Sequence, residues 1–114
     1  MEHEKLVSAA MSIIIHAGDA RLNITQALNA ISENQYEEVK DKLKQAQEKI
    51  TAAHEIQTEI IQGEARGEEV GYSLLFAHAQ DTLMTINSEL ILAKQLYKLF
   101  ESFEKRVLKL EKGE

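Results

Sequence analysis

Not one of the 114 residues is proline, and glycine occurs only at Gly18, Gly63, Gly67, Gly71 and Gly113. Proline removes a helical hydrogen bond and clashes with the preceding turn, and interior glycine weakens a helix by about 1 kcal/mol. A chain without the first and nearly without the second can run in long unbroken helices. Aromatic residues make up only 5%, which suits a β-rich fold poorly. The pattern predicts an all-α protein, an antiparallel three-helix bundle forming one domain over residues 1–114. Its helices span about 5–31, 35–62 and 72–110. The polar run Ser32-Glu33-Asn34 closes the first helix. Between the second and third, glycine recurs every four residues among charges, so residues 63–71 read as a mobile loop.

Hydrophobic spacing supports the three helices. In the second, Tyr36, Val39, Leu43, Ala46, Ile50, Ala53, Gln57 and Ile60 step by three and four, a seam broken only by Gln57. The first carries Val7, Ala10, Ile14, Ala17, Arg21, Ile24, Leu28 and Ile31, with added bulk at Ile13 and Ile15. The third has two stripes. One is apolar: Leu75, Ala79, Leu83, Ile86, Leu90, Ala93, Tyr97 and Phe100. The other is mixed: Leu74, His78, Asp81, Thr85, Ser88, Leu92, Leu96 and Leu99, continuing to Phe103. A three-helix monomer needs one inward face per helix. The second stripe therefore predicts oligomerisation through helix three.

Charge and composition exclude several classes. A net charge of −6 argues against nucleic acid as a partner, because phosphate-backbone binders concentrate positive charge. The basic residues near the C-terminus, Lys105, Arg106, Lys109 and Lys112, alternate with Glu104 and Glu111 and read as a solvated helix end favoured by the helix dipole. The absence of cysteine removes disulfide and thiol chemistry and makes a reducing cytoplasm the expected location. No apolar run approaches the roughly 20 residues a membrane span needs, so no membrane insertion is expected. The opening Met1-Glu2-His3-Glu4-Lys5 lacks the features of a secretory signal.

Chemistry concentrates in Leu74-Leu75-Phe76-Ala77-His78-Ala79-Gln80-Asp81-Thr82-Leu83-Met84. On a helix, i and i+3 share a face, so His78 and Asp81 project from one side. A neutral imidazole is a competent nucleophile, base or metal ligand. By spacing alone, such a pair is more often a satisfied polar contact. Three class readings follow: a carrier or enzyme using His78, a structural adaptor bundle with His78–Asp81 as an interface pair, and a metal-dependent bundle enzyme. The last needs inward carboxylates paired with histidines on several helices, and the seams of helices one and two show none.

Three segments carry a family resemblance. Ala77-His78-Ala79-Gln80-Asp81 followed by Leu83-Met84 resembles the active-site signature of the lactose/cellobiose-type enzyme IIA of bacterial sugar phosphotransferase systems. Ile14-Ile15-His16-Ala17-Gly18-Asp19-Ala20-Arg21 resembles that family's first-helix segment, and Ala53-His54-Glu55-Ile56-Gln57-Thr58 its second. The acidic, glycine-punctuated loop before helix three is also typical. The resemblance runs from about residue 7 to residue 100, in order.

It implies a cytoplasmic phosphoryl carrier. A histidine accepts phosphate from the histidine phosphocarrier protein and passes it to a cysteine of the cognate enzyme IIB, which supplies the enzyme IIC permease. The phosphorylated position corresponds to His78. The metal-binding aspartate, shared by three subunits of a nine-helix homotrimer on its threefold axis, corresponds to Asp81. Gln80 belongs to the signature as a hydrogen-bond donor to phosphoryl oxygens. Thr82 departs from the family pattern, which often has histidine or glutamine there, so any role resting on that position does not carry over. His54 and His16 read as helix or subunit contacts.

Elementary electrostatics agrees with this division of roles. Two unit charges about 7 Å apart at an effective dielectric of about 20 repel by roughly 2 kcal/mol. A bare Asp81 carboxylate would therefore oppose a phosphorylated His78. Three carboxylates sharing a hard divalent cation relieve that field, and oxygen ligands favour Mg2+ over zinc. Leu74, Leu75 and Met84 would give partners a dry rim. The transported sugar, lactose, cellobiose, chitobiose or another β-glycoside, is not written in these residues.

Overall fold

Three helices account for nearly all of the described chain, residues 2–113 of a computed structural model: α1 (His3–Ser32), α2 (Tyr36–Ala65) and α3 (Leu74–Glu111). They run up, down and up, so α1 and α3 are parallel and α2 opposes both. The result is a rod of 67 × 21 × 18 Å.

Helix ends explain the connections. At the end of α1, Asn34 takes the left-handed conformation (φ 60°). The Gln35 N–H then reaches the Ala30 carbonyl at 2.8 Å and the Asn34 N–H reaches Ile31 at 3.0 Å. Paired 6→1 and 5→2 bonds of this kind satisfy carbonyls that a helix end would otherwise leave open. The end of α2 repeats the motif with Gly67 at φ 94°, Glu68 N–H on Gly63 at 3.1 Å and Gly67 N–H on Glu64 at 3.0 Å. α3 starts where the Ser73 hydroxyl accepts the Phe76 N–H at 3.1 Å, the usual bond of a serine N-cap.

The core is built from small and branched aliphatic side chains. α2 buries Val39, Leu43, Ala46, Ile50, Ala53 and Ile60, the residues of its predicted seam. α3 buries Phe76, Ala79, Leu83, Ile86, Leu90 and Ala93. Ala10, Ala17, Ala20 and Ala27 of α1 are all fully buried, and such small residues let neighbouring backbones approach closely.

Four details differ from the sequence expectation. The inward face of α1 is rotated by one residue: Leu6, Ile13 and Ala20 are buried, whereas Val7 and Ile14 are half-buried and Arg21 and Leu28 are exposed. With isoleucine at 13, 14 and 15, periodicity cannot select one; packing selects Ile13. In α3, Phe76 replaces Leu75 in the core, and Phe100 is exposed. α2 continues through Gly63 to Ala65, because glycine costs a helix only about 1 kcal/mol when packing supports it. The connecting loop is therefore 66–73, with Gly63 buried beneath the side chain of Glu68. The third helix begins two residues later than the spacing suggests.

Polar contacts set helix register. Asn23, only 4% exposed, donates through Nδ2 to Gln26 and to Gln45 at 3.2 Å each, and its Oδ1 accepts from Lys49 Nζ at 2.6 Å. A buried amide with its donors and acceptor engaged costs little, whereas a slip of the helices would strand it. Arg21 grips Glu89 in a bidentate pair, both bonds 2.9 Å, tying α1 to α3. That pair is exposed, so its contribution is small. α2 and α3 touch each other least, which leaves an open groove along their junction.

Candidate functional site

The site is an exposed face on the first two turns of α3. Ala79 is fully buried and anchors this stretch to the core, so the neighbouring positions must turn outward. His78 and Asp81 are both exposed and lie on one side of the helix, as their i, i+3 spacing requires. The Ser73 cap and the buried Phe76 and Ala79 hold the backbone that carries them, giving the imidazole a rigid mount on an open surface.

Thr82 takes no part in that face. Its hydroxyl donates to the His78 carbonyl at 2.8 Å, a bond within the helix to the residue four positions back. Where a polar side chain would project, the hydroxyl is spent on the backbone.

Gln80 is placed apart from His78 within one chain. Successive residues of a helix turn by about 100°, so i and i+2 point to nearly opposite sides. Gln80 lines a cavity of about 250 Å³ beneath the loop, with Ile60, Ile61, Val70, Tyr72 and Phe76. The structure thus brings together His78 and Asp81 and sends Gln80 towards α2. Within one chain, Gln80 and His78 therefore face different sides of α3.

The remaining histidines are accounted for differently. His16 lies 2.7 Å from the Ser12 carbonyl through Nδ1; a carbonyl only accepts, so Nδ1 carries the proton. His54 is exposed on the α2–α3 groove, a cavity of about 290 Å³ also lined by Gln57, Leu83 and Met84. His3 is exposed at the start of α1.

Leu74, 73% exposed, lies one turn before His78 on the same side of α3, whereas Tyr72, 84% exposed, lines the cavity that Gln80 enters and Met84, 64% exposed, lines the α2–α3 groove with His54. Of the expected dry rim of Leu74, Leu75 and Met84, Leu74 alone lies beside His78; Leu75 is half-buried against the core, in keeping with its place on the apolar stripe of α3. The exposed Tyr72 was not singled out by sequence patterning, since it lies outside any periodic run.

Asp81 meets one test of a metal ligand and fails another within a single chain. Among the described residues the ion pairs are Arg21–Glu89 and Arg66–Glu68, so no cation engages its carboxylate. The same residues hold no cluster of three histidine, cysteine, aspartate or glutamate side chains fit to bind a metal. A lone exposed carboxylate is a hard oxygen donor suited to Mg2+, but it completes a site only when other copies supply theirs. No helix among the described residues is long and apolar enough to cross a membrane.

Comparison with known proteins places this arrangement in context. Residues 8–101 match the family model described as the lactose/cellobiose-specific IIA subunit of the PTS system. A lactose-specific EIIA component of Staphylococcus epidermidis is 34% identical over 101 residues, covering 89% of this chain and 97% of that protein. The crystal structure of a cellobiose-specific enzyme IIA from Bacillus anthracis superimposes with a TM-score of 0.83 at 33% identity, covering 92% of this chain and 94% of that one. A solution structure of IIA(Chitobiose) of Escherichia coli, solved in complex with HPr, gives a TM-score of 0.76 at 30% identity, covering 91% and 99%. The matched segment contains the whole His78–Asp81 face and all but the last turns of α3. The chain belongs to the lactose/cellobiose-specific IIA family of the sugar phosphotransferase system.

Proposed function

We propose that the protein is a phosphoryl carrier in which His78 takes phosphate from HPr, the histidine phosphocarrier, and delivers it to the cysteine of a cognate enzyme IIB on the cytoplasmic side. The observation that carries this reading is the exposed imidazole of His78 on a capped, rigid helix within the family's matched segment. The Escherichia coli relative's complex with HPr supports the choice of donor.

The chemistry asks little of the protein beyond position and charge. As the nitrogen–phosphorus bond of the donor histidine breaks, a bond forms to a neutral ring nitrogen of His78, and the donor leaves as a neutral imidazole. Delivery reverses the roles, with His78 as leaving group and a thiolate sulfur as acceptor. One site must serve both partners, so each must dock and leave quickly. The exposed Leu74, one turn from His78 on the same face, suits such a centre, where desolvated apolar side chains carry contact energy.

Assembly completes the account. The outer stripe of α3, from Asp81 through Leu92 to Leu99, is exposed except for the half-buried Leu96 and supports a homotrimer with three copies of α3 around an axis. There, Asp81 of each copy would hold one Mg2+. Bound metal would offset the mutual repulsion of the carboxylates and their field at a phosphorylated His78. The transported sugar is of the β-glycoside class that the family's lactose and cellobiose members handle. Incubation with HPr and its phosphate donor should give one acid-labile, base-stable phosphate per chain. A protein that takes up none from the phosphorylated carrier would contradict the proposal.

A further inference from the structure

A basic groove lies on the α2–α3 junction, well away from His78. It is a cavity of about 420 Å³ lined by Lys40, Leu43, Lys44, Gln47, Lys94 and Tyr97, with Glu48 its one carboxylate. On a chain of net charge −6, three ammonium groups thus meet a single acid. Among the described residues the ion pairs are Arg21–Glu89 and Arg66–Glu68, so no carboxylate neutralises these lysines at ion-pair distance. Glu101, beside the groove, accepts the Tyr97 hydroxyl at 3.0 Å. Like charges one helical turn apart, as at Lys40 and Lys44, destabilise a helix, and Lys94 adds a third from α3. A bound anion would relieve that repulsion.

One of the three cations is held in place. Lys94 is half-buried and donates to Gln47 Oε1 at 2.5 Å. Gln47 is itself oriented, because its Nε2 donates to the Thr51 hydroxyl at 3.2 Å. An ammonium has three donors, so two remain for a ligand, and a donor fixed beforehand lowers the ordering cost of binding. The floor between the lysines is apolar, with Leu43 buried and Tyr97 half-buried. The volume falls in the range of small-molecule sites. Lys94 lies about 24 Å along α3 from His78 and about 160° round the helix from Leu92. The groove is therefore separate from the carrier histidine and from the outer stripe.

We infer that this groove binds a small phosphomonoester, a phosphate dianion carried on a hydroxylated carbon skeleton. Lys40, Lys44 and Lys94 take the phosphate through charge-assisted hydrogen bonds, and the floor of Leu43 and Tyr97 takes the skeleton. Inorganic phosphate would leave that floor uncovered. Cations on both walls of a groove suit a compact anion better than a flat lipid surface. Binding here does not require that His78 accept a phosphoryl group.

The test is an NMR-monitored titration of the full-length protein with glucose 6-phosphate, beside glucose and inorganic phosphate. Glucose 6-phosphate should shift the amide signals of residues 40–48 and 94–97 saturably. Glucose should not shift them, and inorganic phosphate should bind more weakly. Lys94→Gln and Lys40→Gln/Lys44→Gln should each weaken binding about tenfold or more while keeping helicity. Lys105→Gln/Lys109→Gln, which removes the same charge elsewhere, should bind as wild type does. No saturable shift with millimolar glucose 6-phosphate would overturn the inference. Unchanged affinity in the groove variants, or equal loss in Lys105→Gln/Lys109→Gln, would overturn it as well. Equal binding of inorganic phosphate would overturn the assignment to an ester, and binding to phosphatidylglycerol vesicles without binding to glucose 6-phosphate would overturn the small-molecule site.

Discussion

At the scale of single residues, His78 and Asp81 were readable because helical spacing places i and i+3 on one face whatever the tertiary packing. Gln80 shows the limit of the motif: contiguous in sequence, it lies on another side of the helix, against Tyr72 and Val70. The conflict between Asp81 and a phosphorylated neighbour gives the first prediction. Asp81→Asn preserves size and removes the charge, so threefold repulsion and Mg2+ affinity should vanish together. Chelation should lower the melting stability of the wild type, by about 2.7 kcal/mol if free metal stands a hundredfold above its Kd, and leave the Asn variant nearly unchanged. Equal sensitivity of both proteins in thermal melts would locate the metal elsewhere.

The helices differed in how legible they were. α2 alternates large apolar and charged residues, so its seam could be read directly. α1 is rich in alanine and has three consecutive isoleucines, and only the partner helices choose which side is inward. Gly63 looked like a helix breaker because spacing carries no information about the packing that carries α2 past it, with Gly63 buried beneath the side chain of Glu68. The glycine that does punctuate is Gly67, whose φ of 94° is costly for any residue with a Cβ. Gly67→Ala should destabilise the protein by about 1–2 kcal/mol, seen as a lower urea midpoint at unchanged m. An unchanged midpoint would mean the turn can be rebuilt without cost. At the other end of α2, where the Tyr36 and Tyr97 rings sit 6.2 Å apart, a tyrosine proton is held by the fold. Burial first, then its hydrogen bond to Glu101 and that carboxylate's charge, push the Tyr97 hydroxyl up to about 12. The folded protein thus holds this proton more tightly than the unfolded chain, where tyrosine ionises near 10. The associated stability is complete below about pH 10 and is lost as pH rises to about 12. Tyr97→Phe should reduce the alkaline loss, measured by denaturant titration at several pH values; the same loss in both proteins would contradict the assignment.

For the whole molecule, the decisive contrast is between a small core and a large exposed apolar surface. Exposed Leu92, Leu99 and Phe103 have no partner helix in the bundle, and the polar start of the same stripe holds the residues proposed for the chemistry. Sedimentation equilibrium should return three times the chain mass of 12.9 kDa; a concentration-independent monomer would remove the basis for a shared Asp81 centre. The central claim, however, is that one imidazole carries the phosphoryl group. The direct measurement is intact-mass analysis of wild type, His78→Ala, His16→Ala and His54→Ala after the same incubation with phosphorylated HPr. Wild type and the last two should each gain one phosphate, His78→Ala none while keeping its helicity, and full labelling of His78→Ala would contradict the account.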